Sequence, residues 1–104
     1  MAKIYKAVRK GVNVEVYVDD KLLDITPSQK VHHHSEGFEF GYLGSGPSQL
    51  ALAILLDVTN SSGVALKYYQ LFKMDFIAPA DYTLGVTILE SQIHSWLQQR
   101  VTND

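Results

Sequence analysis

The chain contains no cysteine. Disulfides, thiol nucleophiles and cysteine-ligated zinc or iron–sulfur centres are thereby excluded. Neither sign of charge dominates: nine Lys and Arg stand against eleven Asp and Glu, a formal net charge of −2. No bulk basic field exists to hold nucleic acid non-specifically. Long hydrophobic runs are missing too. The longest, Leu50 to Leu56, falls far short of the roughly 20 residues that a bilayer-spanning helix needs. The opening Met1-Ala2-Lys3-Ile4-Tyr5-Lys6 has no apolar stretch suited to a signal peptide. Together these absences point away from the membrane and toward a cytoplasmic protein. At 104 residues, with 46% hydrophobic and 19% charged, the chain is sized for a single compact domain over residues 1–104. There are no internal repeats, low-complexity segments or linkers.

Val12, Val14, Val16 and Val18 alternate with Asn13, Glu15, Tyr17 and Asp19, the period of a half-buried strand. Lys3 to Arg9 is its expected partner, joined through Lys10-Gly11. Asp19-Asp20 marks a second tight turn, after which Lys21 to Ile25 returns as a third short strand. Thr26-Pro27-Ser28 breaks the pattern. Lys30 to Tyr42 reads as extended, with Phe38, Phe40 and Tyr42 on one side. Pro47 suits a first helical position. The Ala/Leu-rich segment behind it predicts a helix over 47–58, apolar on every side and therefore central.

Asn60 to Gly63 ends that helix. Val64 to Leu71 predicts a second one, with Ala65, Tyr69 and Phe72 on a common face. Adjacency of Tyr68 and Tyr69 puts at least one of them toward water. Lys73 to Ile77 alternates and reads as a strand. Thr87-Ile88-Leu89-Glu90 matches a T-x-x-E capping box. It would open a last amphipathic helix with Leu89, Ile93, Trp96, Leu97 and Arg100 on one face. The expected class is α+β: a short antiparallel sheet, built from the N-terminal meander plus a later strand, packed on three helices.

Candidate chemistry concentrates between Gly37 and Asp57, where only Glu39 and Asp57 carry charge. Gly41, Gly44 and Gly46 lead straight into the predicted helix. Glycines serve where the backbone needs unusual angles or a close approach, and a helix N-terminus offers unpaired N–H groups to an anion. Gly41 to Ser48 matches the phosphate loop G-x-x-x-x-G-K-[ST] except that Pro47 replaces the lysine. That change removes both the charge and one N–H of the cradle, and no parallel βαβ pattern surrounds it, so an NTPase is rejected. The dinucleotide fingerprint and the G-x-S-x-G hydrolase elbow fail as well. What survives is a loop able to hold a phosphate-bearing small molecule or nucleotide through Gly44, Ser45, Gly46 and Ser48, walled by Phe40 and Tyr42. The competing interpretation is a tight turn entering a buried helix.

His32-His33-His34 invites a metal site with Glu36, Glu39 or His94, but no recognised ligand spacing supports one. Proton transfer by His34 with Glu36 lacks a nucleophile to activate. No catalytic residue, metal or cofactor is assigned. The strand Lys3 to Arg9, read as a sheet edge, is a natural docking or self-association surface, beside a hairpin face carrying Glu15 and Tyr17.

The block from Ser35 to Ala53, with its Gly37-Phe38 to Gly46-Pro47 core, resembles a family of small proteins and domains of unknown function seen in bacteria, archaea, their phages and plasmids. Family members show S-P-x-G-F-x-W-G-Y-x-G-S-G-P before an Ala/Leu helix. Here Glu36 stands where proline is usual and Phe40 where tryptophan is usual. The similarity extends softly to Ala65 through Phe72 and to Ile93, Trp96 and Leu97. No residue inherits a catalytic role from it. Its distribution implies a phage or mobile-element origin, a setting in which small proteins often act by binding. Two function classes result: a non-enzymatic module for a phosphate-bearing ligand at the glycine loop, or a phage or mobile-element factor docking on a host protein through a sheet edge.

Overall fold

The computed structural model describes residues 3–103. Its elements are β1 (Ile4–Lys10), β2 (Asn13–Val18), β3 (Lys21–Leu22), α1 (Thr26–Val31), α2 (Ser45–Thr59), α3 (Ser62–Phe72), a π-helical turn (Lys73–Ile77), β4 (Val86–Leu89) and α4 (Glu90–Asn103). The class is α+β. The sheet is antiparallel throughout, in the order β3-β2-β1-β4.

The meander forms because valine alternation and turn chemistry agree. Asp19 and Asp20 both adopt positive φ, 50° and 70°. That pair of angles is the mirror-image turn whose twist suits two strands. The third strand is shorter than expected: only Lys21 and Leu22 pair, because Asp24 already turns the chain by accepting the Thr26 amide. A larger correction concerns the edge. Lys3 to Arg9 belongs to the interior strand, since β4 pairs with β1 at Ile4↔Leu89 through Ala7↔Val86. A partner some eighty residues away leaves no trace in local sequence.

One sheet face supplies Tyr5, Ala7, Val16 and Ile88 to the core. The other presents Ile4, Lys6, Val8 and Lys10 outward. Every residue of α2 from Gly46 to Leu55 is buried, with α1, α3 and the π turn packed around it. α2 starts two residues earlier than predicted, so Pro47 is its third residue rather than its first. The Tyr5 hydroxyl donates to Asp57 Oδ2 at 2.7 Å and ties β1 to α2. Burial, followed by the Asp57 carboxylate, pushes the Tyr5 phenol well above its ordinary value.

The described residues form four α-helices where three are expected. Thr26-Pro27 does not break structure but starts α1, with proline in the first turn, where its missing N–H costs nothing. Lys73 to Ile77 is not a strand. The Ala78 amide donates to the Lys73 carbonyl, five residues back, so α3 runs on through a widened turn. Aromatic packing favours this path: Phe72 and Phe76 both meet Trp96 edge-on, at 5.4 and 6.1 Å between centroids. Asp75 accepts from Trp96 Nε1 and Arg100 Nη2 at 2.7 and 2.6 Å.

Thr87 is not a helix cap either. It pairs with Lys6 inside β4, and Leu89 is a half-exposed strand residue rather than part of the α4 face. The true start of α4 is held by Glu90, whose Oε1 accepts the Lys3 amide at 2.7 Å, and by Gln92, which accepts the Leu89 amide at 2.8 Å. Tyr68 and Tyr69 are both buried, contrary to the expectation from their adjacency.

Candidate functional site

The glycine loop is built around Arg9. Its Nη1 and Nη2 donate to the two Glu39 carboxylate oxygens at 3.1 and 2.8 Å, and its Nε donates to the Tyr82 carbonyl at 2.9 Å. The guanidinium plane also sits over the Tyr82 and Phe40 rings, at 3.7 and 4.8 Å. This is a bidentate pair reinforced by stacking, an arrangement lysine cannot reproduce. Phe40 is fully buried beneath it. Tyr42 is exposed and tilts toward Tyr82, with 6.4 Å between ring centroids. Gly41 needs its φ of +87°, and a Cβ there would meet Tyr82 Cα at 2.8 Å. At Gly46 a Cβ would meet Glu39 Cβ at 2.6 Å, so this glycine lets the α2 N-terminus press against the Glu39 segment.

The six loop residues picked from sequence therefore divide. Phe40, Gly46 and Ser48 are buried, Tyr42 and Ser45 are exposed, and Gly44 lies between, beside the Tyr42 ring. Ser48 Oγ donates to the Gly44 carbonyl at 3.0 Å and accepts from Lys73 Nζ at 3.1 Å. The Ser48 amide is also taken by Gly44, at 3.1 Å. Pro47 has no N–H, which leaves the Ser45 and Gly46 amides for an incoming anion, and Gly46 abuts Glu39. The Tyr42 phenol is pushed up by burial and then by the negative charge of Glu39. Glu39 thus faces this loop with its charge matched by Arg9, and the Lys73 ammonium lies on the Ser48 side of the loop.

The histidine triplet has a packing role. The His32 and His34 rings stack at 4.1 Å, nearly parallel, while His33 points to Glu36, 3.5 Å away. His34 Nε2 lies 2.7 Å from the Tyr69 hydroxyl. Burial, followed by the nearby His32 and Lys73, lowers the His34 pKa and keeps the ring neutral. Gln49, fully buried on α2, anchors this segment. Its Oε1 accepts the His34 and Ser35 amides at 2.6 and 3.0 Å, and its Nε2 donates to Ser28 Oγ and the His32 carbonyl at 2.9 and 3.2 Å. Among the described residues no three His, Asp or Glu side chains gather to hold a metal ion. His94 instead pairs with Glu90 on α4.

A cleft of ≈ 690 Å³ opens between β2 and the segment 35–39 that Gln49 anchors. Its wall includes the outer edge of β2. In an antiparallel ladder, successive residues direct their N–H and C=O groups to opposite sides. The Asp19 amide bonds the Ile4 carbonyl on the β1 side, and the Leu23 amide bonds the Val16 carbonyl at 2.7 Å on the other side. By that alternation the backbone groups of Val14 also point away from β1. β3 pairs only with Tyr17 and Val18, so it stops before it can cover Val14. Val14, Val16, Ile25 and Phe38 provide apolar lining here, and Glu15, Asp24, Glu36 and Glu39 the acidic groups.

The model of a family of unknown function, DUF6166, matches residues 5–99. This chain belongs to that family. No curated protein and no solved structure matches the chain.

Two features of this DUF6166 domain were missed in the sequence. Gln49 looked like one polar residue in an apolar helix, yet it holds four backbone and side-chain groups of the segments 28–35. A Gln at the head of the Ala/Leu run of an apolar helix is the available signal. The open half of β2 had no signal, because the lengths of β3 and of its turn decide it. Among the described residues no helix is long and apolar enough to cross a membrane.

Proposed function

We propose that this DUF6166 chain is a non-enzymatic protein-interaction module that takes an extended segment of a partner beside β2. The observation that carries this reading is the uncovered Val14 edge facing a cleft whose far wall is fixed by Gln49. Strand addition at such an edge supplies main-chain hydrogen bonds for affinity and pockets for alternate side chains. A cytoplasmic setting and a phage or mobile-element origin, with a host protein as the partner, belong to the same proposal; the origin rests on the distribution of the family that the sequence resembles. The reading the glycine loop leads to first, a phosphate-bearing ligand at Gly41–Ser48, has less support in the geometry. Its amides are few, Ser48 is engaged, and Glu39 lies against Gly46.

The test is selection of a display library of random extended peptides on the purified protein, followed by Val14→Pro. Proline at this position removes the outward N–H without touching the β1 ladder. Selected peptides should lose affinity for Val14→Pro while the variant's melting temperature stays within a few degrees of wild type. Peptides that bind Val14→Pro undiminished would overturn the reading. A thermal shift with inorganic phosphate or a nucleotide, abolished by blocking the loop, would return the site to Gly41–Ser48.

A further inference from the structure

Resting on the strand-addition reading, we infer that the segment taken beside β2 is basic, with cationic and apolar side chains in alternation. Charge placement carries this inference. The chain as a whole is nearly balanced, at −2, yet the cleft is lined by Glu15, Asp24, Glu36 and Glu39 and by no Lys or Arg. Of the basic residues of β1, Lys6 and Lys10 line a separate depression on its outer face, diagonal to Glu15, while Arg9 lies on the inner face and is matched by Glu39. Among the described residues lining the cleft, Glu39 is the one paired with a permanent cation, the bidentate Arg9, while Lys30 acts on Asp24 from a distance. Glu36 has His33, which helps only when protonated. Glu15 and Asp24 are held by neutral donors, the Tyr17 hydroxyl at 2.6 Å and the Thr26 amide at 2.9 Å. Those bonds orient the carboxylates and leave further lone pairs on each.

The register of β2 sets the order of side chains in the partner. Val16 is buried against the core and pairs with inward-facing Ala7, and Val14 shares its face. Glu15 pairs with Val8 on the opposite face. A strand laid beside β2 meets residues of matching orientation directly opposite. The partner residue across from Val14 is therefore apolar and lies toward Phe38 and Ile25, which line the cleft. Its neighbour, across from Glu15, faces the carboxylate and is Lys or Arg. Asp24 and Glu36 extend the negative potential along the rest of the cleft, which also speeds encounter with a cationic chain at low salt.

Three capped peptides of equal length test this, alternating Val with Lys, with Gln or with Glu. Binding is followed by titration of backbone amide NMR signals at low and at high salt. The Lys–Val peptide should bind several-fold more tightly than the Gln–Val peptide, since the cross-strand charge pair at Glu15 is worth up to about fivefold and Asp24 and Glu36 add longer-range attraction. The Glu–Val peptide should not bind. The preference should collapse at high salt and in the triple variant Glu15→Gln, Asp24→Asn, Glu36→Gln, whose amides retain the local acceptors. If Lys–Val and Gln–Val bind equally and both are lost in Val14→Pro, the charge inference fails and strand addition stands. If no peptide binds, or binding ignores Val14→Pro, strand addition itself fails.

Discussion

Replacing Gln49 by Met is the most informative single perturbation of this fold. The two side chains are similar in length, so the change removes polar chemistry and leaves little void. Four groups lose their partner: the His34 and Ser35 amides, Ser28 Oγ and the His32 carbonyl. An unsatisfied buried group costs about 1–3 kcal/mol. Ser28 Oγ keeps its own bond to the Ile25 carbonyl, and water reaches the half-buried His34 and Ser35. With those discounts the expected loss is about 3 kcal/mol, a large share of the roughly 5–15 kcal/mol that holds a typical domain together. For a chain of this size that lowers the melting temperature by about 12 °C. Urea unfolding gives the free energy directly, with an unchanged m-value expected. A loss below about 1 kcal/mol would refute the claim that Gln49 anchors the 32–35 segment. Because that segment leads into the cleft wall, peptide affinity should fall in the same variant at temperatures where it remains folded.

Arg9→Lys should cost about 2 kcal/mol in chemical denaturation, because an ammonium forfeits the fork on Glu39 and the stacking on Tyr82. Gly44→Ala should be nearly neutral in thermal melts, since its Cβ meets only the movable, exposed Tyr42 ring, whereas Gly46→Ala should lower the melting temperature by several degrees by striking Glu39 Cβ. Stability should fall as pH drops below about 6.5, the ordinary imidazole value. His34 has a lowered pKa when folded, so the unfolded chain takes up the proton first and is favoured by acid. The slope between that value and the lowered folded one should flatten in His34→Gln, read by urea titrations at several pH values.

The parts of the fold that were legible are those where local and tertiary signals agree. Valine alternation and Asp19-Asp20 give the hairpins, and the Ala/Leu run gives α2. Misreadings arose where one local pattern served two geometries. Five residues from Lys73 to Ile77 alternate like a strand, but Asp75 and Phe76 are claimed by Trp96 and Arg100 on α4, and the chain stays helical. Thr87-x-x-Glu90 has the letters of a capping box, but Thr87 is held in the β1 ladder. Pro27 follows a strand pattern and so reads as a breaker, although the first turn of a helix suits it equally well. Of the candidate site, the glycines were read correctly as a place of close approach. What approaches is the protein's own Glu39 and Tyr82, which no spacing rule discloses. The open edge of β2 depends on the pairing of distant strands, and so it lay outside any local pattern.

The most direct measurement is hydrogen exchange at the Val14 amide, in the free protein and with the Lys–Val peptide. An open edge predicts fast exchange in the free protein, while the β1-bonded amides of Glu15 and Tyr17 stay protected. On peptide addition Val14 should become protected and Glu15 and Tyr17 should hardly change. Protection of Val14 in the free protein, or unchanged exchange at Val14 under saturating peptide, would contradict strand addition at β2.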